Sequence, residues 1–472
     1  KSNNNSNTNT NRSRILITKA RSHEIRFQLY FELELCSPKF LVRLLYKATG
    51  IGTVEIDSPM AKKMAEWSEL PFDLLVSIGR CLNLIEDYLN FGCVCKSWHS
   101  VATKTNFNND LCRAPWLMLA EEEDNEVRKF FSLYNGMILN KRIPKASRKR
   151  CLESMGWLIT VGEEGEISLL HPFSDVQIEL PHQNTTVEYN EHQTGALTCF
   201  IGKAVLSASP SHTSDYLLMV IDGGSRFLSF WRPGDIRWTR VTWEGINYSS
   251  FADLIYFNGQ IYAVDYSGNL LVCNVADVVS PKLTKCHIIP SQPHEHNPEH
   301  LYILESLGSL FVVVRYGVHF RLVQDDWDMI PLTLVPRPYH VGVEVTYGTR
   351  YFRVSRVDLA ASKMTETKEL GDAAFFLGAN ASLSVQASRY PGIKPNHIYF
   401  TDDFYETYMS YEEGGGLDMG VFNLADGSIQ PHYNGVSLSR FCPPTWAWKH
   451  FKENEVLRVV HIASRYVKAS LY

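Results

Sequence analysis

Two periodicities divide the chain. From Trp67 to Ala102 apolar residues recur at helical spacing, with Leu74, Leu75, Ile78 and Leu82 forming one stripe along the run from Pro71. Ser68 can cap that helix, and Pro71 suits its first turn, where a missing N–H costs nothing. Asp87 can cap a second helix carrying Tyr88, Leu89, Phe91 and Val94, and a third runs from about Lys96 through Trp98 and Val101. Three helices this short bury little surface. At ~25 cal/mol per Å² of apolar area such a unit is marginal alone, and a partner is expected to complete it.

Beyond residue 150 the period changes to that of strands. A strand, a Gly-containing turn and a second strand are written in 156–170, and the design returns in 216–230 and 254–273. Shorter versions follow in 308–315, 374–378, 397–400 and 419–424. Hairpins recurring every ~40 to 60 residues predict propeller blades, whose radial stacking covers both faces of each sheet. The expected fold class is therefore mainly β: a C-terminal β-propeller of six blades, with five or seven also compatible, preceded by a small three-helix unit. A β-sandwich is the runner-up, and the lack of alternating long amphipathic helices argues against a parallel α/β sheet.

The expected boundaries are a disordered or non-native extension over 1–59, the helical unit over 66–105 and a linker region over 106–150. The propeller is expected over 151–450, and a tail or closing strand over 451–472. Residues 1–12 are a polar low-complexity tract, and the chain begins without Met. In the linker, Glu121 to Asp124 and the basic residues Lys141, Arg142 and Arg148 to Arg150 read as solvated loops.

Composition removes several alternatives. The chain has 472 residues, 45% of them hydrophobic and 21% charged, as in ordinary globular proteins. Its formal charge of −5 provides no global field for nucleic acid or an anionic membrane, so neither is expected as a partner. The most apolar N-terminal stretch, 29–46, contains Glu32, Glu34, Lys39 and Arg43, too many charges for a membrane span. Ten scattered cysteines suggest a reducing compartment, cytoplasmic or nuclear. Cys93 and Cys95 have no second ligand pair, so no zinc is expected.

The helical segment also carries a family resemblance. Leu70-Pro71-x-Asp73-Leu74-Leu75-x-x-Ile78, then Asp87-Tyr88-Leu89-x-Phe91 and Val94-Cys95-Lys96-Ser97-Trp98, resemble the F-box. The resemblance implies docking on a SKP-type adaptor and, through it, on cullin and RING subunits of a ubiquitin ligase. The implied adaptor-binding residues are Leu70, Pro71, Leu74, Leu75, Ile78, Leu82, Leu89, Val94, Cys95 and Trp98. Gly79 stands where that family carries a bulky apolar residue, and a mid-helix Gly costs up to ~1 kcal/mol relative to Ala.

A second resemblance covers almost everything after residue 150. Gly371-Asp372, Phe375-Phe376-Leu377-Gly378-x-Asn380-x-Ser382, the run from Pro391 to Asp403, Met419 to Asn423 and Pro443 to Trp446 look like a plant F-box protein with a KIB-type β-propeller.

Candidate chemistry is sparse. Gly414 to Gly416 lack the Lys and helix of a phosphate loop and read as a flexible loop. His287, His294, His296 and His300 fall among prolines that disfavour a helix aiming two imidazoles at one ion. Asp402 and Asp403, adjacent on a strand, point to opposite faces and read as a strand end. Trp231, Trp238 and Trp243 could anchor a partner, but packing between blades is the expected use. No catalytic, metal or cofactor residue is expected. The reading is a substrate receptor of unidentified target. The alternatives are a propeller hydrolase or lyase and a binding module without cullin association.

Overall fold

The computed structural model describes 16–19, 25–28, 70–80, 88, 91–92 and 94–102. It also describes 115–448 apart from 122–125, 135, 137, 187–200, 243–249, 275–282, 289–299, 318, 321–329, 332–347, 381, 391, 405–407 and 409–413. There are two compact units, Lys1–Arg113 with Phe451–Tyr472, and Ala114–His450. In the first, Leu16–Lys19 pairs antiparallel with Ile25–Gln28, inside the segment expected to be disordered or non-native. Two helices follow, α1 (Phe72–Arg80) and α2 (Lys96–Val101), and Tyr88, Phe91 and Gly92 between them are also helical.

The second unit is a six-bladed propeller. Blade 1 takes its innermost strand, Thr445–Ala447, from the C-terminal side of the unit, followed outward by Trp116–Met118, Val127–Ser132 and Ile138–Arg142. Blade 2 is Arg150–Ser154, Trp157–Val161, Ile167–Leu170 and Gln177–Glu179. Blade 3 is Lys203–Leu206, Leu218–Asp222, Phe227–Trp231 and Thr239–Arg240. Blade 4 is Phe251–Phe257, Gln260–Asp265, Asn269–Asn274 and Leu283–Ile288. Blade 5 is His300–Ser306, Ser309–Tyr316, Tyr351–Asp358 and Lys363–Thr367.

Blade 6 is built differently. Its hairpin Ala373–Leu377 and Ser382–Gln386 places the later strand innermost, and the earlier one runs parallel to His397–Phe400, in register Phe375 to Ile398. Gly420–Asn423 and Ile429–Gln430 complete it.

A buried apolar cluster lies between each pair of neighbouring blades and closes the ring. Leu152 and Ile159 meet Leu218 and Trp231 between blades 2 and 3. Met219 and Phe230 meet Leu254 and Ala263, and Val264 meets Ile303 and Val312. Val313 meets Phe375 and Phe400, Phe376 and Tyr399 meet Leu117 and Trp446, and Trp116 and Phe130 meet Leu158 and Leu170. Each sheet thus buries both faces, which a single blade cannot do. Trp231 and Trp238 lie inside the core between blades 2 and 3, while Trp243 is outside the described residues.

The structure moves one boundary. The segment 106–150, expected to link, supplies the outer three strands of blade 1, so the propeller unit begins near Ala114. Its charged residues obscured the strand period because they are partnered internally. Arg128 is fully buried and donates to Glu121 Oε2 at 3.0 Å and to the Ala146 carbonyl at 2.7 Å. Arg150, read as part of a solvated run, is buried and donates to the Ile201 carbonyl at 2.6 Å. The closing strand is Thr445–Ala447, and 451–472 lies outside the described residues.

Candidate functional site

The helical unit is organised around aromatic rings. Tyr88, Phe91, Trp98 and Val101 are buried, with Phe91 and Trp98 centroids 4.7 Å apart and the Tyr88 hydroxyl donating to the Val101 carbonyl at 3.3 Å. Gly79 lies against this cluster: a Cβ there would sit 3.5 Å from Tyr88 Cε2 and 3.8 Å from Phe91 Cε1, ordinary contact distances. The position therefore has room for a methyl group. α1 starts at the Leu75 N–H, which donates to the Pro71 carbonyl at 3.0 Å, and the first turn carries Asp73, favourable at a helix N-terminus.

Burial sorts the ten residues named from the sequence. Leu75, Ile78 and Trp98 are buried. Leu70, Val94 and Cys95 are half-buried, Pro71 is exposed, and Leu74 is 46% exposed. Leu82 and Leu89 are outside the described residues. Phe72, which is not among the ten, is 56% exposed. It lies off the Leu74, Leu75, Ile78 stripe, and its signal was a large aromatic beside Asp73 in the first turn. Leu70, Pro71, Phe72 and Leu74 leave apolar surface uncovered around the start of α1.

The propeller's candidate chemical groups are already occupied. The Asp402 carboxylate accepts the Gly416 N–H at 2.7 Å and the Leu417 N–H at 3.1 Å, pinning a loop that the sequence suggested was flexible. Asp403 accepts from Arg315 at 2.7 Å and from the Tyr302 hydroxyl at 2.6 Å. The other branch of the same guanidinium, fully buried, donates to Asp418 at 2.6 Å. His300 meets the Phe404 ring edge-on, and burial pulls its imidazole down to about 4, so it is neutral at physiological pH. His294 and His296 lie outside the described residues, as does the His287 side chain. Among the described residues no three His, Cys, Asp or Glu side chains are grouped to hold a metal, and no helix is long and apolar enough to cross a membrane.

A small aromatic-cored helical unit is joined in sequence to a six-bladed ring, and each of the two parts matches a family model. An F-box domain model matches 67–110, and the KIB1-4 beta-propeller model matches 130–423. The chain belongs to the KIB1-4 beta-propeller family. Among its relatives in Arabidopsis thaliana, F-box protein At4g35733 is 25% identical over 391 residues, covering 77% of this chain and 93% of the relative. F-box protein At2g17690 is 26% identical, covering 78% and 96%, and F-box protein SKIP23 is 24% identical, covering 83% and 98%.

Proposed function

We propose that this protein is the substrate-recognition subunit of a SKP–cullin–F-box ubiquitin ligase, working in the cytoplasm, the nucleus or both. The observation that carries this reading is the apolar surface left open at the start of α1, within the segment that the F-box model matches. The adaptor docks on Leu70, Pro71, Phe72 and Leu74, with Val94 and Cys95 at the edge. Leu75, Ile78 and Trp98 act from beneath, by fixing the helices.

The protein performs no covalent chemistry in this scheme. Its propeller holds a target, its helices hold the adaptor, and the resulting effective concentration brings a target lysine to the ubiquitin carried by other subunits. The test is recovery from plant extract. Wild-type protein is expected to bring down adaptor and cullin, and the double substitution Phe72→Ala with Leu74→Ala to lose both. Equal recovery by the two proteins would reject the docking face.

A further inference from the structure

Three hairpin turns of one kind surround one end of the propeller axis. They are Met155-Gly156, Asn258-Gly259 and Leu307-Gly308, each with both residues at positive φ. Among them opens a cavity of about 350 Å³, within the size range of ligand pockets. The innermost strands of blades 2 to 5 end there, and Ser154, Leu206, Tyr256, Glu305 and Ser384 are in its lining.

The cavity is blind. Asn380, also in its lining, accepts the Ala204 N–H at 2.7 Å and donates to the Ala204 carbonyl at 2.9 Å and to the Glu153 carbonyl. Blade 6 stands opposite blade 3 in a ring of six, so a blade 6 side chain bonded to blade 3 must lie across the axis. Lys203 of blade 3 reaches back to the Gly378 carbonyl at 3.0 Å and ties the same turn. A Cβ at Gly378 would collide with Thr401, so glycine lets the turn enter. Behind this plug a second cavity of about 30 Å³, lined by Arg150, Lys203, His300 and Asp403, has room for about one water.

The ionisable groups of the blind cavity are all acidic among the described residues. Glu153 and Glu305 line it, and among the described residues no lysine, arginine or histidine does. The two occupy equivalent places in opposite blades, in Glu153-Ser154-Met155-Gly156 and Glu305-Ser306-Leu307-Gly308. Each accepts the N–H of its turn glycine, at 2.7 and 2.6 Å. Burial pushes the Glu153 carboxyl up to about 8, so it lines the cavity as a neutral acid and Glu305 is left as the group that can oppose a cation.

We propose that this blind axial cavity receives one basic side chain, an ammonium or guanidinium, from the protein target, with Glu305 opposing its charge. This deepens the receptor reading and rests on it for the source of the side chain. The test is saturation-transfer NMR on the full-length protein with three probes: Nα-acetyl-arginine amide, Nα-acetyl-lysine amide and the uncharged isostere Nα-acetyl-citrulline amide. Transfer is expected to at least one cationic probe and not to citrulline. Binding should weaken at least tenfold in Glu305→Gln, which keeps the acceptor for the Gly308 N–H, and vanish in the cavity-filling Ser384→Phe, both with thermal midpoints near wild type. Should Ser384→Phe melt early, Glu305→Gln alone decides. Equal transfer to citrulline, no transfer to any probe, or unchanged binding by Glu305→Gln would overturn the proposal. Loss of adaptor recovery with the cationic signal intact would fail the ligase reading and leave the cavity standing.

Discussion

Arg315 shows how a residue of ordinary sequence context becomes central to packing. One fully buried guanidinium joins Asp403 and Asp418, hydrogen-bonds the Thr401 carbonyl at 3.0 Å, and faces the rings of Phe400 and Phe404. Removing it strands two carboxylates in the core. Arg315→Met is expected to lower stability by ~3–5 kcal/mol in denaturant unfolding. Glu153 offers a second measurement at this scale. Its carboxyl stays protonated to about pH 8 when folded but ionises near 4.5 when unfolded, so its contribution is complete below about 4.5 and is lost as pH rises to about 8. Glu153→Gln should remove this slope, on the order of a few kcal/mol, from the stability–pH curve, as read by urea midpoints at pH 5 and 8.5. Gly79→Ala, whose new methyl group meets only ordinary contacts, should raise the stability of the helical unit by up to ~1 kcal/mol.

At the scale of elements, α1 has two sides that substitution should separate. Leu75→Ala removes a buried side chain and is expected to cost the helical unit ~2–5 kcal/mol, seen as lost helical circular dichroism at a lower temperature. Phe72→Ala with Leu74→Ala should leave that transition nearly unchanged while abolishing adaptor recovery, because both side chains already face solvent. The helical stripe was legible in the sequence, but which of its members lie inside was not: Leu74 and Leu75 are neighbours in the same apolar run and have opposite fates. The hairpins were legible wherever glycine marks a turn between apolar runs. Blade 1 was not, because Trp116–Met118 is only three residues long and the next strand places Arg128 and Lys129 among its apolar positions. An arginine reads as solvent-facing until Glu121 and the Ala146 carbonyl are brought to it.

For the molecule as a whole, stability depends on the closure of the ring. Thr445–Ala447 pairs with Trp116–Met118, joining distant parts of the sequence in one blade. Trp446, fully buried, donates to the Leu377 carbonyl at 2.9 Å and meets the Phe376 ring edge-on at 4.9 Å. Trp446→Ala is expected to cost ~3–5 kcal/mol. Ending the chain before Thr445 should leave blade 1 and blade 6 faces open, replacing one sharp calorimetric transition by a broad one at lower temperature.

The amino-acid order alone determined the local architecture: short helices with one apolar stripe, then strands turning on glycine at a repeat suited to blades. Those features depend on neighbours a few residues apart, so periodicity records them. Only the tertiary structure decided the blade count, the origin of the closing strand and the use of Gly378-x-Asn380-x-Ser382 as a plug across the axis. It also brought Glu153 and Glu305, 152 positions apart, to one cavity. These outcomes depend on which surfaces remain to be covered once all blades are in place, a condition set by the closed ring and by no single segment.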